Sequence, residues 1–204
     1  MEGKVARVFV ILFVLAAFWA VGVGTTIAQE KKGAEKKGGP AVPPMVMTTT
    51  AWEDGAVIPD KYTQKVDNPV SPELKWSQVP PGTQSFVLLM HDPEPVLNKG
   101  SKMDITHWLA WNIPATATGL PEGVAQGESR DGTRQVSLRF NGYMGPGAPP
   151  GPYHHYTFEL YAVDTKIDVP QGTPQEAANT RMAVINAIDG HVLGKALLVA
   201  RFHR

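Results

Sequence analysis

Three segments between His91 and Tyr161 each set an ionisable residue at one end of an apolar alternation. They are HDPEP (His91–Pro95), THWLAWNIP (Thr106–Pro114) and GPGAPPGPYHHYTFELY (Gly145–Tyr161). Side chains two apart share one face of a strand. Phe86, Leu88 and Met90 therefore share a face with Asp92 in phase. By the same rule His107 leads Leu109, Trp111 and Ile113, and His154 leads Tyr156, Phe158, Leu160 and Ala162. On this phase Trp108 turns to the opposite layer, and so does His155, which is assigned no part in a site. If the three strands are neighbours, Asp92, His107 and His154 meet at the mouth of one core and form a candidate site.

The rest of the chain fits a β protein built around those strands. Twenty glycines and eighteen prolines in 204 residues suit many short strands and turns better than a helical bundle. Leu74–Trp76, Ser85–Met90, His107–Ile113, Ser137–Tyr143, Tyr156–Val163 and Ala196–Phe202 read as strands, with a first one within Val42–Thr50. Ser85–Met90 is almost continuously apolar, as for a strand buried on both faces. One helix is well signalled. Thr173 and Glu176 form a capping box with Pro174 at the first helical position, and Gly190 supplies the stop. Ala178, Met182, Ile185 and Ile188 follow at helical spacing and read as its core-facing stripe.

The N-terminus has a different character. Lys4 and Arg7 precede an uncharged apolar run, Val8–Val23, and Thr26-Ile27-Ala28 offers small residues for a signal peptidase. Residues 1–28 are expected to be a signal peptide that engages the membrane during export, the alternative being a retained anchor. Residues 29–44, QEKKGAEKKGGPAVPP, have no apolar face and read as a flexible linker. The folded domain is then 45–204, periplasmic or secreted, or extracytoplasmic on an N-terminal anchor.

Composition excludes several chemistries. A formal net charge of +0 offers no basic surface for nucleic acid. The cysteine count of 0 rules out disulfides, thiolate nucleophiles and cysteine metal sites. No HExxH or GxSxG motif is present. What remains is a carboxylate beside imidazoles, which can fix a tautomer or hold a histidine charged. The free ring nitrogen can then donate to an anion, with backbone N–H groups of the loop Gly142–Gly151 as further donors.

The motifs DPEP, HWLAWNIP and GYMGPGAPPGPYHHYTFELYAVD resemble the phosphatidylethanolamine-binding protein family, and most closely its bacterial, Raf kinase inhibitor-like branch. NPVSPELKWSQVPPGTQSFVLLMHDPEP and the closing GHVLGKALLVARFHR carry the same resemblance, which covers roughly Met45 to Arg204. It implies a mainly β fold, with a large antiparallel sheet packed on a smaller one and a few peripheral helices. It also implies an anion pocket at one end. Residue by residue, Asp92 and Glu94 match the two acids of the DPD-type motif, and His107 matches the histidine opening the next strand. Gly145 and Pro146 match part of the glycine–proline loop, and His154 and Tyr156 match the H-x-Y pair. The chain departs from the pattern in Glu94, one methylene longer than aspartate, in the polar loop Val96–Thr106, and in a glycine–proline loop without cysteine.

The function this implies is an exported binding protein for small anions such as phosphate, or for phospholipid headgroups, with a protein partner in the envelope. No catalytic residue, metal or cofactor is assigned. Two alternatives stand beside it. Relatives in the family regulate kinases and serine proteases, which suggests a protein inhibitor. Asp92, His107 and His154 are also a ligand set for metal-assisted or acid–base hydrolysis.

Overall fold

The computed structural model describes residues 43–95, 99–100 and 103–204. The expected signal peptide 1–28 and all of the linker but Pro43 and Pro44 lie outside the described residues, as do 96–98 and 101–102. Among the described residues no helix is long and apolar enough to cross a membrane.

The strands are β1 (Val46–Thr48), β2 (Leu74–Ser77), β3 (Ser85–Asp92), β4 (Ile105–Pro114), β5 (Gly119–Leu120), β6 (Arg134–Val136), β7 (His154–Val163) and β8 (Val192–Phe202). They form a five-stranded antiparallel sheet in the order β6-β4-β3-β7-β8 and a three-stranded one in the order β1-β2-β5. Met47, Leu74 and Trp76 of the small sheet share a core with Phe86, Leu88, Met90, Phe158 and Leu160 of the large one. A second core covers the other face of the large sheet, where Val87, Leu89 and Leu109 meet Val184 and Ile188. Ser85–Met90 is buried throughout, as expected for a strand covered on both sides.

The helix α1 (Ala177–Ala187) follows a short 3-10 turn, Pro174–Glu176, with the Thr173–Glu176 capping box formed. Of the expected stripe, Ile188 is in the core and Ile185 packs against it, but Ala178 and Met182 are not part of the buried face. Ala177, Thr180 and Val184 are buried, whereas Met182 is 50% exposed. Small side chains lie against the sheet, and Arg181 ties the helix to it through an ion pair with Asp104.

Strand β4 corrects the simple alternation. Met90 pairs with Trp108 but His91 pairs with Thr106, so His107 is an extra residue opposite that step. Phe86 pairs with Ile113 and Leu88 with Ala110, so a second extra residue falls at Trp111–Asn112. Such bulges shift the side-chain phase of everything beyond them. Trp108 therefore shares the inter-sheet core with Ala110, while Trp111 packs on the helix side, the reverse of the expected assignment. The second bulge restores Ile113 to the inter-sheet core. Asn112 takes a positive φ of 57°, and its side chain bonds both backbone groups of Ile167.

Segment 137–143 also differs from expectation: it is a series of turns, not a strand. Ser137 N–H donates to Phe140 O at 2.7 Å, and Leu138 N–H donates to Thr106 O at 3.1 Å, which clips the turn to β4. The Asn141-Gly142 pair is the local turn signal in that stretch.

Candidate functional site

The end of β3 and the starts of β4 and β7 lie at the same edge of the large sheet, because the strands are antiparallel. That edge holds a cavity of about 290 Å³, lined by Asp92, His107, His154 and Tyr156 together with Gln64 and Arg139. Apolar side chains, including Ile105, Leu138 and Met144, complete its wall. The volume is at the low end for ligand pockets and suits a small molecule or a headgroup.

Asp92 is buried and accepts a 2.7 Å hydrogen bond from His154 Nδ1. Its other oxygen accepts from the Glu94 N–H at 3.2 Å. Burial above all, helped by the Glu94 side chain, lifts the Asp92 carboxyl above the ordinary aspartate range, and His154 pulls it the other way. The His154 side chain stays 20% exposed, and its Nε2 has no protein partner among the described residues. The pair thus holds one ring nitrogen firmly and leaves the other to the cavity.

His107 is different. Burial lowers its pKa to about 4, although the carbonyls of Met144 and Gly145 oppose the shift. Nδ1–H donates to Met144 O at 2.9 Å, and the Met144 N–H returns a 2.8 Å bond to His107 O. That bond fixes the neutral tautomer with its proton on Nδ1. The ring meets Tyr156 edge-on with centroids 4.9 Å apart. His107 is therefore a neutral wall element near pH 7.

The loop behaves unlike its expected role as a set of free donors. The N–H groups of Gly147 and Ala148 donate to the Tyr156 hydroxyl at 3.2 and 3.1 Å. Burial, with the nearby Asp92 charge, keeps that hydroxyl protonated well above the usual tyrosine range. Gly145 and Pro146 do not line the cavity. They face the 62–64 segment, where Gln64 Nε2 donates to Gly145 O at 2.6 Å and Gln64 N–H to Pro146 O at 2.8 Å. A Cβ on Gly145 would sit 2.6 Å from Tyr62 O, so glycine is required there for close approach. The loop residues at the cavity are the next three, Gly147, Ala148 and Pro149.

Glu94 also lies off the cavity wall. Its carboxylate accepts from His155 Nδ1 at 2.7 Å and from the His155 backbone N–H at 3.1 Å. Burial raises its pKa, but contacts with Asp92 and His155 outweigh that and hold it below the glutamate range. Single ligand atoms of Asp92, Glu94 and His154 come within 4.8 Å of one another, so among the described residues this trio, without His107, is the group that could hold a metal ion. Gln64, Leu138 and Arg139 escaped the sequence reading because two of them belong to the segment read as strand and the third to a turn-rich stretch.

Sequence and structure comparisons agree on kinship. The sequence model described as phosphatidylethanolamine-binding protein matches residues 48–203. A UPF0098 protein of Methanothermobacter thermautotrophicus is 37% identical over 170 residues, covering 78% of this chain and 99% of its own. UPF0098 protein YbhB of Escherichia coli is 36% identical over 168 residues, again covering 78% of this chain and 99% of its own. The crystal structure of a phosphatidylethanolamine-binding protein homologue from Chlamydia trachomatis superposes with a TM-score of 0.63 at 27% identity, covering 79% of this chain and 98% of its own.

Proposed function

The chain belongs to the phosphatidylethanolamine-binding protein family, and from that premise we propose that its end cavity binds a small anion: phosphate, free or as part of a phospholipid headgroup. The observation that carries this reading is the Asp92–His154 pair. A buried carboxylate holds Nδ1–H at 2.7 Å, while the ring lines the cavity and its Nε2 has no protein partner among the described residues. A proton on Nε2 makes the ring a charge-assisted donor to an anion, and Asp92 stabilises the resulting imidazolium. Arg139 adds positive potential on the cavity wall.

In this reading the protein is exported by its leader 1–28 and acts outside the cytoplasm, where it meets headgroups or an envelope protein partner. N-terminal sequencing of material from its own host should find a start at or near Gln29. Calorimetric titration of inorganic phosphate tests the pocket. Wild type binds, His154→Ala loses binding, and His155→Ala, whose ring faces Glu94, matches wild type. Absence of phosphate binding, or equal losses in both variants, overturns the reading.

A further inference from the structure

From the position of Arg139 we propose that the cavity takes a ligand with two acidic groups, one at His154 and the other at Arg139. The inference rests on the anion-binding reading above and goes further, to the class of ligand. The sheet order β6-β4-β3-β7 sets the two residues on opposite sides of the cavity. His154 opens β7, whereas Arg139 lies in the turn that follows β6 and is clipped to β4 through Leu138 N–H and Thr106 O at 3.1 Å. Three strand spacings separate β6 from β7, roughly 14 Å at the backbone. Both side chains reach the one cavity from these separate strands, and two charged groups on a short carbon spacer can meet them together.

The middle of the cavity suits a spacer. Ile105, Leu138 and Met144 contribute apolar wall to it. At the second pole the guanidinium is exposed and has no carboxylate partner among the described residues. Its one protein hydrogen bond there is a long one, from Nη1 to Gln64 Oε1 at 3.5 Å. Gln64 is itself fixed, by Nε2–H to Gly145 O at 2.6 Å and N–H to Pro146 O at 2.8 Å, so its amide oxygen aims the guanidinium. Arg139 lines the same cavity as His107 and His154. A planar guanidinium with free N–H groups matches a carboxylate or phosphate fork.

Two probes of similar size isolate the second pole: glycerol 3-phosphate, and 3-phosphoglycerate, which replaces its terminal hydroxymethyl with a carboxylate. Wild type is expected to bind 3-phosphoglycerate about tenfold more tightly, the gain of one charge-assisted contact. Arg139→Gln should bring the two affinities together by weakening 3-phosphoglycerate severalfold more than glycerol 3-phosphate, and Arg139→Lys should keep part of the preference. Arg204→Gln removes a guanidinium that bonds Gln64 O at 3.3 Å outside the cavity, and should leave the preference intact. Inorganic phosphate bound without preference for 3-phosphoglycerate, or equal weakening of both probes by Arg139→Gln, overturns the two-group ligand but not the anion pocket. Failure of phosphate itself to bind overturns both.

Discussion

His91 and Asp92 are neighbours on β3 and point to opposite faces of the large sheet, each into an acid–imidazole network. On the helix side His91 is saturated. Nδ1 meets Asp104 at 2.7 Å and Nε2 meets Glu159 at 3.1 Å. Asp104 also binds Arg181 of α1, and Glu159 binds Lys195 and the Tyr161 hydroxyl. Burial works against a charge on His91, but the two carboxylates overcome it and raise its pKa above the ordinary histidine value. On the cavity side the network stops short: among the described residues His154 has one carboxylate partner, and its other ring nitrogen is unused. The same residue types thus give a strut on one face and an open donor on the other. What separates them is whether every polar valence is met inside the protein.

Breaking the strut should produce the largest effect. Asp104→Ala leaves His91 and Arg181 as partly buried charges without their shared partner, and such losses amount to roughly 3 kcal/mol or more. Urea unfolding should show that drop, while phosphate affinity stays within about twofold of wild type, since Asp104 does not line the cavity. A matching loss of affinity would mean that the two faces are not independent.

The two histidines should also respond to pH with opposite signs. The folded His107 refuses a proton until about pH 4, whereas the unfolded chain takes it up near 6.5. Stability therefore falls as pH drops through that window, by about 3 kcal/mol at its foot. His91 behaves the other way. Its raised pKa makes its contribution complete below about 6.5, and that contribution fades as pH rises through the raised value. Between about pH 6.5 and 5, above the carboxylate range, the fall in stability with acid should flatten in His107→Gln and persist in His91→Gln.

Glu94 offers the smallest effect and sharpens the boundary of the site. Had it lined the wall as its sequence position suggested, Glu94→Gln would tighten phosphate binding by removing a like charge. Paired instead with an exposed His155, it should change phosphate affinity less than twofold and stability by well under about 1 kcal/mol. A clear gain in affinity would return Glu94 to the cavity.

Much of this architecture is legible in the residues. The continuous apolar run of Ser85–Met90, the alternation after His154 and the capping box at Thr173 each report a local preference that tertiary packing does not overturn. The Asp92–His154 meeting follows from strand phase once β3 and β7 are neighbours, because neither strand is bulged against the other between its core residues and its polar end. What escaped depends on partners distant in sequence. A bulge such as that at His107 exists only as a mismatch with the facing strand, so Trp108 and Trp111 could not be assigned from β4 itself. The His91 strut joins Asp104, Glu159, Arg181 and Lys195 from four separate elements, and no spacing announces it. Arg139 reaches the cavity only because a turn, not a strand, occupies 137–143.

The contrast between the closed and the open network is tested most directly by imidazole nitrogen NMR during a phosphate titration. Long-range proton–nitrogen spectra separate the ring nitrogens of each histidine. As phosphate is added, the Nε2 resonance of His154 should move with a saturable curve, while both nitrogens of His91 hold their shifts. Movement of His91 with His154 unchanged, or no movement of either at saturating phosphate, would contradict the account.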